Sequence, residues 1–542
     1  MSSLRPSFMG IESMKQTMYA AQKSLDITGN NIANVNTLGY SRQRADQVSI
    51  SVNASSLYFN TSRALAGQGA ATSGITQIRD KLLDKRYRDL NSGTALANIA
   101  NENLKDIENV LDVFDTTGFY GIYTKFKDIL SQFGTDNTDR KELANVTLEY
   151  GKQICQAIKN YDTQIDKIHD QVRLDAETST DKVNSIFKQI HELNDQIKDA
   201  YVTSGDIIVD STQFTGYKVN SEYGPNELKD QLNALVDELS TYGNVDLTEN
   251  SDGTFDVEFA NHLCVKGDKN YATLQIAYYK DNKDVTADTL KGLDEGGIDP
   301  KDCAMKFFFN DGTEMRPTES GIASGAMRGY LDMYNGGGVY ASELGNEFDG
   351  ASNGVPYYRE MINALANTMS EAFNDACVAG DMFASTDGGE ITAANIVISD
   401  DWKNDPLLIT QNANGTVAEG EELSNEYLNK IRAVIDKGLD FSRTTAGNAT
   451  VDQSDMTIDK YVSYWENKLG QDISYTTSVY DTYNSMAFTL SNQRDSIMGV
   501  NMDEEGANMM QFQKWYNASA RMMTALDEAL DKIINGMGLV GR

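Results

Sequence analysis

Proline is scarce in this chain of 542 residues, which has six, with none from Ser7 to Gly224 and none after Pro406. Proline removes a helix donor and clashes with the preceding turn, so its absence leaves both flanks free to be helical. Cysteine is scarcer still. Cys155, Cys264, Cys303 and Cys377 are scattered without a CxxC spacing, which argues against both a disulfide framework and a zinc ribbon. The three histidines are His169, His191 and His262. His191 opens the fragment HELND with no second histidine at the fifth position, so the HExxH zinc-protease pattern is missing and the residue is expected on the solvated side of a helix. There is no GxSxG elbow, no Walker loop, and no cysteine with a credible histidine partner. The Gly336 to Gly338 triplet reads as a turn. No run of eighteen apolar residues occurs, and MSSLRPSFMGIESMKQTMYA has no continuous apolar core, so neither membrane insertion nor Sec export is expected.

Positive charge is in the minority: 47 Lys and Arg stand against 80 Asp and Glu, a formal charge of −33. Such a surface repels nucleic-acid phosphates and anionic lipid, so no nucleic-acid partner is expected. Acidic pairs such as Glu421-Glu422, Asp400-Asp401 and Asp503 to Glu505 arise by chance among so many carboxylates. They specify neither a glycosidase nor a calcium site. No catalytic residue, cofactor or metal site is assigned, and the chain is read as a non-enzyme.

What the chain does hold is one pattern written twice. Ile11, Met14, Met18, Ala21, Leu25, Thr28, Ile32 and Val35 follow at steps of three and four near the start; Met509, Phe512, Tyr516, Ser519, Met523, Leu526, Leu530 and Ile533 do so near the end. That is the heptad spacing that keeps one stripe of a helix against a partner. Two such helices can pack on each other and loop the middle of the chain out between them. An ordinary amphipathic helix at each end of a globular protein would have the same spacing. Residues 1 to 60 carry Arg5, Lys15, Lys23, Arg42 and Arg44 against Glu12, Asp26 and Asp46. The start is therefore near neutral while the middle is acidic, a division that suits a packed inner layer beneath a charged outer one.

Helix is expected over about Arg79 to Asp112 and Thr138 to Val202, the latter with Ile154, Ile158, Tyr161, Ile165 and Val172 in heptad step. A short helix follows in GPNELKDQLNALVDELS after Gly224. From Val245 to Ile276 apolar and polar residues alternate around Asp252-Gly253, and Phe307 to Phe309 lead into Asp311-Gly312, which predicts strands and turns. Tyr357 to Asn374 returns to helix, Ile391 to Trp402 reads as strand, and helix runs from Ile458 to the end. The expected fold is therefore α+β and multidomain: an inner terminal-helix domain (1–60 plus 500–542), a helical middle domain with β elements (61–240 plus 320–499), and a β-rich outer domain (241–319).

The first seam runs into GNNIANVNTLGYSRQR, Gly29 to Arg44. Asparagines bond neighbouring backbone and tolerate left-handed conformations, so this run should end a helix and aim the chain's exit. The element Ala33-Asn34-Val35-Asn36-Thr37-Leu38-Gly39-Tyr40, preceded by Asn30 and Asn31 and followed by Ser41-Arg42-Gln43, resembles the axial proteins of the bacterial flagellum. Within them it resembles the FlgK family of hook–filament junction proteins most. The stretch Ser491 to Met523 is similar to that family's C-terminal signature, with Asn501, Asp503, Glu504 and Glu505 in place. GPNELKDQLNALVDELS and SGIASGAMRGYLDMYNG resemble further segments of the family. Leu38 stands where proline is common, Leu232 where arginine is, and Gly506 where a larger residue is usual; glycine costs about 1 kcal/mol inside a helix.

The resemblance implies a secreted building block of the flagellum, exported by its type III apparatus and set between hook and filament. Its implied partners are identical subunits in a ring, the hook protein, a second junction protein and an export chaperone that holds the C-terminal helix. The two seams would form the assembly core. Another axial subunit, of hook or distal rod, is the alternative within the same class. A glycan-binding or hydrolytic module on the β-rich region, using acidic pairs and tyrosines such as Tyr278-Tyr279 or Tyr357-Tyr358, is the alternative from another class.

Overall fold

The computed structural model describes residues 7–37, 39–50, 69–111, 118–133, 140–204, 207–208, 218–219, 224–280, 283–285, 302–344, 348–411, 421–442 and 453–536. Leu38 lies outside them. The described chain is mostly helical, with small antiparallel sheets.

Helix α1 (Ser7–Ala33) leads into an antiparallel hairpin of β1 (Gln43–Ser49) and β2 (Ala70–Gln77). Helix α2 (Lys81–Val110) starts where Asp80 accepts from the amides of Leu82 and Leu83, satisfying two donors that a helix start leaves orphaned. Helix α3 (Phe119–Gln132) was not expected from the sequence. Its apolar face, Phe119, Tyr123, Phe126 and Leu130, is wholly buried. Helix α4 (Arg140–Ser204) is the long rod anticipated by its heptads. At 1.5 Å per residue its 65 residues span about 100 Å.

After β3 (Ile207–Ile208), β4 (Lys218–Val219) and α5 (Asn226–Tyr242), the texture changes to strands as the alternation predicts. Strands β5 (Val245–Glu249), β6 (Phe255–Phe259), β7 (His262–Lys266) and β8 (Asn270–Tyr271) form an antiparallel meander. Strand β9 (Leu274–Lys280) sits between β10 (Lys283–Val285) and β11 (Ala304–Phe309) in a second sheet. The turns at Asp252-Gly253 and Asp311-Gly312 carry φ of +85° and +87° at their glycines, a region that side chains with a Cβ avoid.

Two asparagines of α4 fasten these sheets to the rod. Asn184 exchanges hydrogen bonds with the backbone of Leu274 at 2.6 and 2.9 Å, and Asn194 does the same with Phe255 at 2.8 and 2.9 Å. His191 lies between them. Instead of facing solvent it leans on this contact, with Nδ1 3.4 Å from the Gly267 carbonyl and its ring beside Tyr271.

Helices α6 (Ala326–Asn335), α7 (Ala341–Leu344) and α8 (Val355–Ala376) follow, then β12 (Phe383–Ser385), β13 (Ile396–Ile398), α9 (Asp400–Asn404) and α10 (Glu421–Asp436). The stretch Ile391 to Trp402, expected as strand, holds only the three residues of β13 before Ser399 caps α9. One hydrophobic core runs from α2, α3 and α4 through β6, β9 and β11 to α8 and the first half of the helix that begins at Ile458. Tyr278, Tyr357 and Tyr358 are buried in it.

The C-terminal helical region is two helices rather than one: α11 (Ile458–Met498) and α12 (Met502–Asp531). The break falls at Gly499 to Asn501, where the Asn501 side chain accepts from the amides of Asp503 and Glu504. Asp503, Glu504 and Glu505 fill the first turn, where negative charge complements the helix dipole. Gly506 does not interrupt α12, and nothing lies within 4 Å of where its Cβ would be.

Candidate assembly interface

The first and last described helices lie side by side and antiparallel. A Cβ at Gly10 would sit 3.2 Å from a Leu526 methyl, while Asn31 Nδ2 is 3.3 Å from Glu505 Oε2. The same interval separates Gly10 from Asn31 and Glu505 from Leu526, so the two helices run in step between these points. Along α1 the seam residues Ile11, Met14, Met18, Leu25, Ile32 and Val35 are half-buried, and Ala21 and Thr28 are buried. On α12, Met509, Phe512, Tyr516, Met523 and Leu526 are half-buried, and Ser519 and Leu530 are buried. Ile533 is half exposed.

A second row of α1 goes deeper than the heptad seam. Ala20, Ser24, Ile27 and Asn31 are buried at the same three-four step, one residue out of phase. Two of them bond the β1 strand: Gln47 Nε2 donates to Ser24 Oγ at 3.2 Å, and Asn31 exchanges hydrogen bonds with the Gln43 backbone at 2.9 and 3.0 Å. Helix α1 therefore serves two partners: Gly10 and Asn31 meet α12, and Ser24 and Asn31 bond the hairpin. Heptad reading does not point to the hairpin, because that contact is made partly by polar residues.

The asparagine-rich element caps α1 and then becomes a strap. Asn34 Nδ2 donates to the carbonyl and side chain of Asn30, Thr37 Oγ1 donates to Asn34 Oδ1, and the Tyr40 amide donates to the Thr37 carbonyl. Gly39 takes φ +79° at this turn; Ala33 and Asn36 are exposed or nearly so. Tyr40 then brings its hydroxyl back to Asn31 Oδ1 at 2.9 Å.

Beyond the strap lies a network of charges that joins four parts of the chain. Arg42 Nε donates to Glu505 Oε1 at 2.7 Å and its Nη1 to Glu504 at 2.8 Å, while its amide bonds the Met498 carbonyl at the end of α11. Ser41, fully buried, donates its amide and hydroxyl to Asp230 of α5 at 3.0 and 2.7 Å. Arg79, just before α2, holds Asp84 at 2.6 Å and approaches Asp230 at 3.5 Å. Arg494 of α11 reaches Asp84 at 3.1 Å and Asp237 at 2.7 Å, and its guanidinium lies over the Tyr87 ring, 4.4 Å from the centroid. Arg88 holds Asp237 from the other side at 2.6 Å.

Burial shapes the protonation of this network. The Tyr40 hydroxyl is pushed up to about 12 by burial and by Glu227, Asp230 and Glu505. The Asp230 carboxyl is raised to about 6 by burial, against the opposing pull of the Ser41 bonds and Arg79. Sequence reasoning found Asn30, Asn31, Tyr40, Ser41, Arg42 and Glu505. It missed Arg79, Asp84, Asp230, Asp237 and Arg494, because charged residues on amphipathic helices read as solvated until a partner helix is placed against them.

Seen from outside, α11 and α12 carry large apolar side chains that the described residues leave exposed. Met502, Met510, Trp515 and Met522 on α12 are between 41% and 60% exposed, and Tyr475, Met486 and Phe488 on α11 between 51% and 70%. Exposed large side chains gathered on two consecutive helices mark an interaction surface. Among the described residues no group of three or more His, Cys, Asp or Glu could hold a metal, and no helix is long and apolar enough to cross a membrane.

Residues 104–208 and 212–391 match the model of the flagellar hook-associated protein FlgK helical domain. Residues 14–40, which contain most of α1 and the asparagine-rich element, match the flagella basal body rod protein family, and residues 492–536, which contain α12, match the flagellar basal body rod FlgEFG protein C-terminal family. Flagellar hook-associated protein 1 of Bacillus subtilis is 26% identical over 577 aligned residues, covering 99% of either chain. Its counterpart in Escherichia coli is 24% identical, covering 95% of this chain and 97% of that one. The flagellar hook junction protein FlgK from Burkholderia pseudomallei aligns in three dimensions with a TM-score of 0.39 and 15% identity, over 56% of this chain and 46% of that chain. With its FlgK helical domain matched over more than half its length, between two ends that match flagellar rod families, the chain belongs to the FlgK family of flagellar hook-associated proteins.

Proposed function

We propose that this chain is a structural subunit of the bacterial flagellum at the junction of hook and filament, and that α1 and α12 are its assembly core. The observation that carries the reading is the apolar surface left open on α12. This helix is packed on α1, yet its Met510, Trp515 and Met522 side chains remain between 41% and 60% exposed. Exposed side chains of this kind are stabilised when neighbouring subunits bury them, each large one contributing roughly 1.5 to 3 kcal/mol. The seam residues named above hold the pair together, and the motif residues Asn30 to Tyr40 with Asn501 to Glu505 set its angle to the rest of the molecule. Residues 1–60 plus 500–542 would form the inner unit, 61–240 plus 320–499 the helical middle, and 241–319 the β-rich outer part.

The partners that follow are identical subunits in a ring, hook protein below, a second junction protein above, and before assembly a chaperone that covers the exposed apolar side chains of α12. Family membership makes the role structural, with the protein outside the cell as part of the flagellum. The test is incorporation of purified chain onto isolated hook–basal bodies. Trp515→Asp, at an exposed position, and Met523→Asp, in the seam, are each expected to abolish incorporation while the near-ultraviolet signal of the middle domain is kept. Normal incorporation of both variants would overturn the assignment.

A further inference from the structure

The joint between the terminal helix pair and the helical body contains a buried acid with little positive charge to balance it. Asp230 is 7% exposed and Ser41 not at all. The carboxylate is held by two neutral donors of the strap, the Ser41 amide at 3.0 Å and hydroxyl at 2.7 Å. Its nearest cation, Arg79, stands at 3.5 Å and is committed at 2.6 Å to Asp84, which Arg494 also contacts at 3.1 Å. The other titratable groups facing this point add no balancing charge: Glu227, on the same helix, is acidic, and Tyr40 is a neutral phenol that burial, with Glu227, Asp230 and Glu505 nearby, keeps protonated.

We propose that Ser41 and Asp230 form a proton-responsive latch that fastens the strap after α1 to α5 and holds the joint more tightly in mildly acidic surroundings than at neutral pH. The geometry permits both states. Ionised, Asp230 accepts from the Ser41 amide and hydroxyl. Protonated, it still accepts from the amide through one oxygen and donates its own proton to the Ser41 hydroxyl, whose oxygen also receives a hydrogen bond from Arg79 at 3.3 Å. Asp230 stays bonded to both Ser41 groups, the 3.5 Å attraction of Arg79 is given up, and the charge that is costly to bury disappears.

The direction follows from linkage. In the closed joint Asp230 titrates near 6, raised by burial; in an open joint, in water, it is an ordinary carboxyl near 3.9. Closing therefore takes up a proton between these values, and its contribution is complete in acid and lost as pH rises through about 6. The ratio of closed to open joint should rise about tenfold from pH 7.5 to 5.0, and roughly a hundredfold at the acid limit. The latch belongs to the single chain and does not depend on the assembly reading, so each can fail without the other.

Hydrogen exchange of the full-length unassembled chain, corrected for intrinsic rates, reads the latch directly. Amides of residues 20–50 should gain about tenfold protection between pH 7.5 and 5.0, as linkage requires, while those in the middle of α4 do not change. Asp230→Asn, which stays neutral, should be equally protected at both pH values. Ser41→Ala removes a donor that favours the ionised acid and should move the midpoint upward, which keeps the test open if the asparagine variant does not fold. Constant protection in the parent chain, parent-like pH dependence in Asp230→Asn, or an unmoved midpoint in Ser41→Ala would each overturn the proposal.

Discussion

Arg42 and Glu505, 463 residues apart in sequence, are joined at 2.7 Å, and Glu505 is only 2% exposed. Both fall in segments that mark the two ends of the chain, so the family's terminal signatures meet in one ion pair. The same carboxylate receives Asn31. Three residues thus tie the C-terminal end of α1, the strap and the first turn of α12.

Truncating Glu505 to Ala should loosen this tie. The loss of a buried charge-assisted bond is worth about 2 kcal/mol here, since Arg42 keeps Glu504 at 2.8 Å. Exchange of amides at the C-terminal end of α1 should accelerate about 30-fold, with the interior of α4 unaffected. Glu505→Gln, which can still accept from Arg42, should lose less.

Gly10 separates two opposing effects. Alanine there gains about 0.5–1 kcal/mol of helix propensity, and its Cβ would press on a flexible Leu526 methyl at 3.2 Å. Gly10→Ala should be near neutral. Gly10→Leu drives a branched side chain into α12 and should weaken the pair by about 1–3 kcal/mol. Crosslinking yield between cysteines introduced on the exposed edges of the two helices would rank parent and alanine together, with leucine below both.

Arg494 should not tolerate lysine. Its planar head serves Asp84 and Asp237 at once and lies over Tyr87, which a single ammonium cannot reproduce. Arg494→Lys should cost about 1–2 kcal/mol and Arg494→Ala about 3 kcal/mol or more, because alanine leaves two carboxylates short of a cation. Urea titration followed by exchange in α2 and α11 would measure both.

The four cysteines are free and buried. Burial pushes the Cys155 thiol up to about 12 and Cys377 to about 11, and raises Cys264 further. The folded chain should therefore react slowly with a thiol reagent at pH 8 and rapidly once denatured. Stability carried by these groups is fully present below their unfolded value near 8.5 and is lost as pH rises toward the folded values. Thermal scans from pH 8 to 11 should fall steadily, and replacing Cys155 and Cys377 by alanine should flatten that slope.

The periodic parts of this fold were legible in one dimension. Heptads along Ile154 to Ile197 announce α4, and alternation around Asp252-Gly253 announces the meander, because one buried face repeats with the geometry of the element that presents it. Helix α3 escaped notice since its four buried apolar residues occupy too short a window. The break at Gly499 to Asn501 was also hidden, because no proline marks it and the asparagine that caps α12 is a signal only once the helix start is known.

By itself the sequence determined that the long periodic segments are helices, that the two ends carry matching apolar spacing, and that the ends bear the signatures of flagellar axial proteins. Those properties are local, set by spacing and residue type. Tertiary structure alone decided that α1 also serves the hairpin through Ser24 and Asn31, and that Asp230, one acid among eighty, is the buried one that meets Ser41 from 189 residues away. A carboxylate's neighbours, and with them its charge state, depend on which helices are laid against it, and no periodicity within a single helix records that.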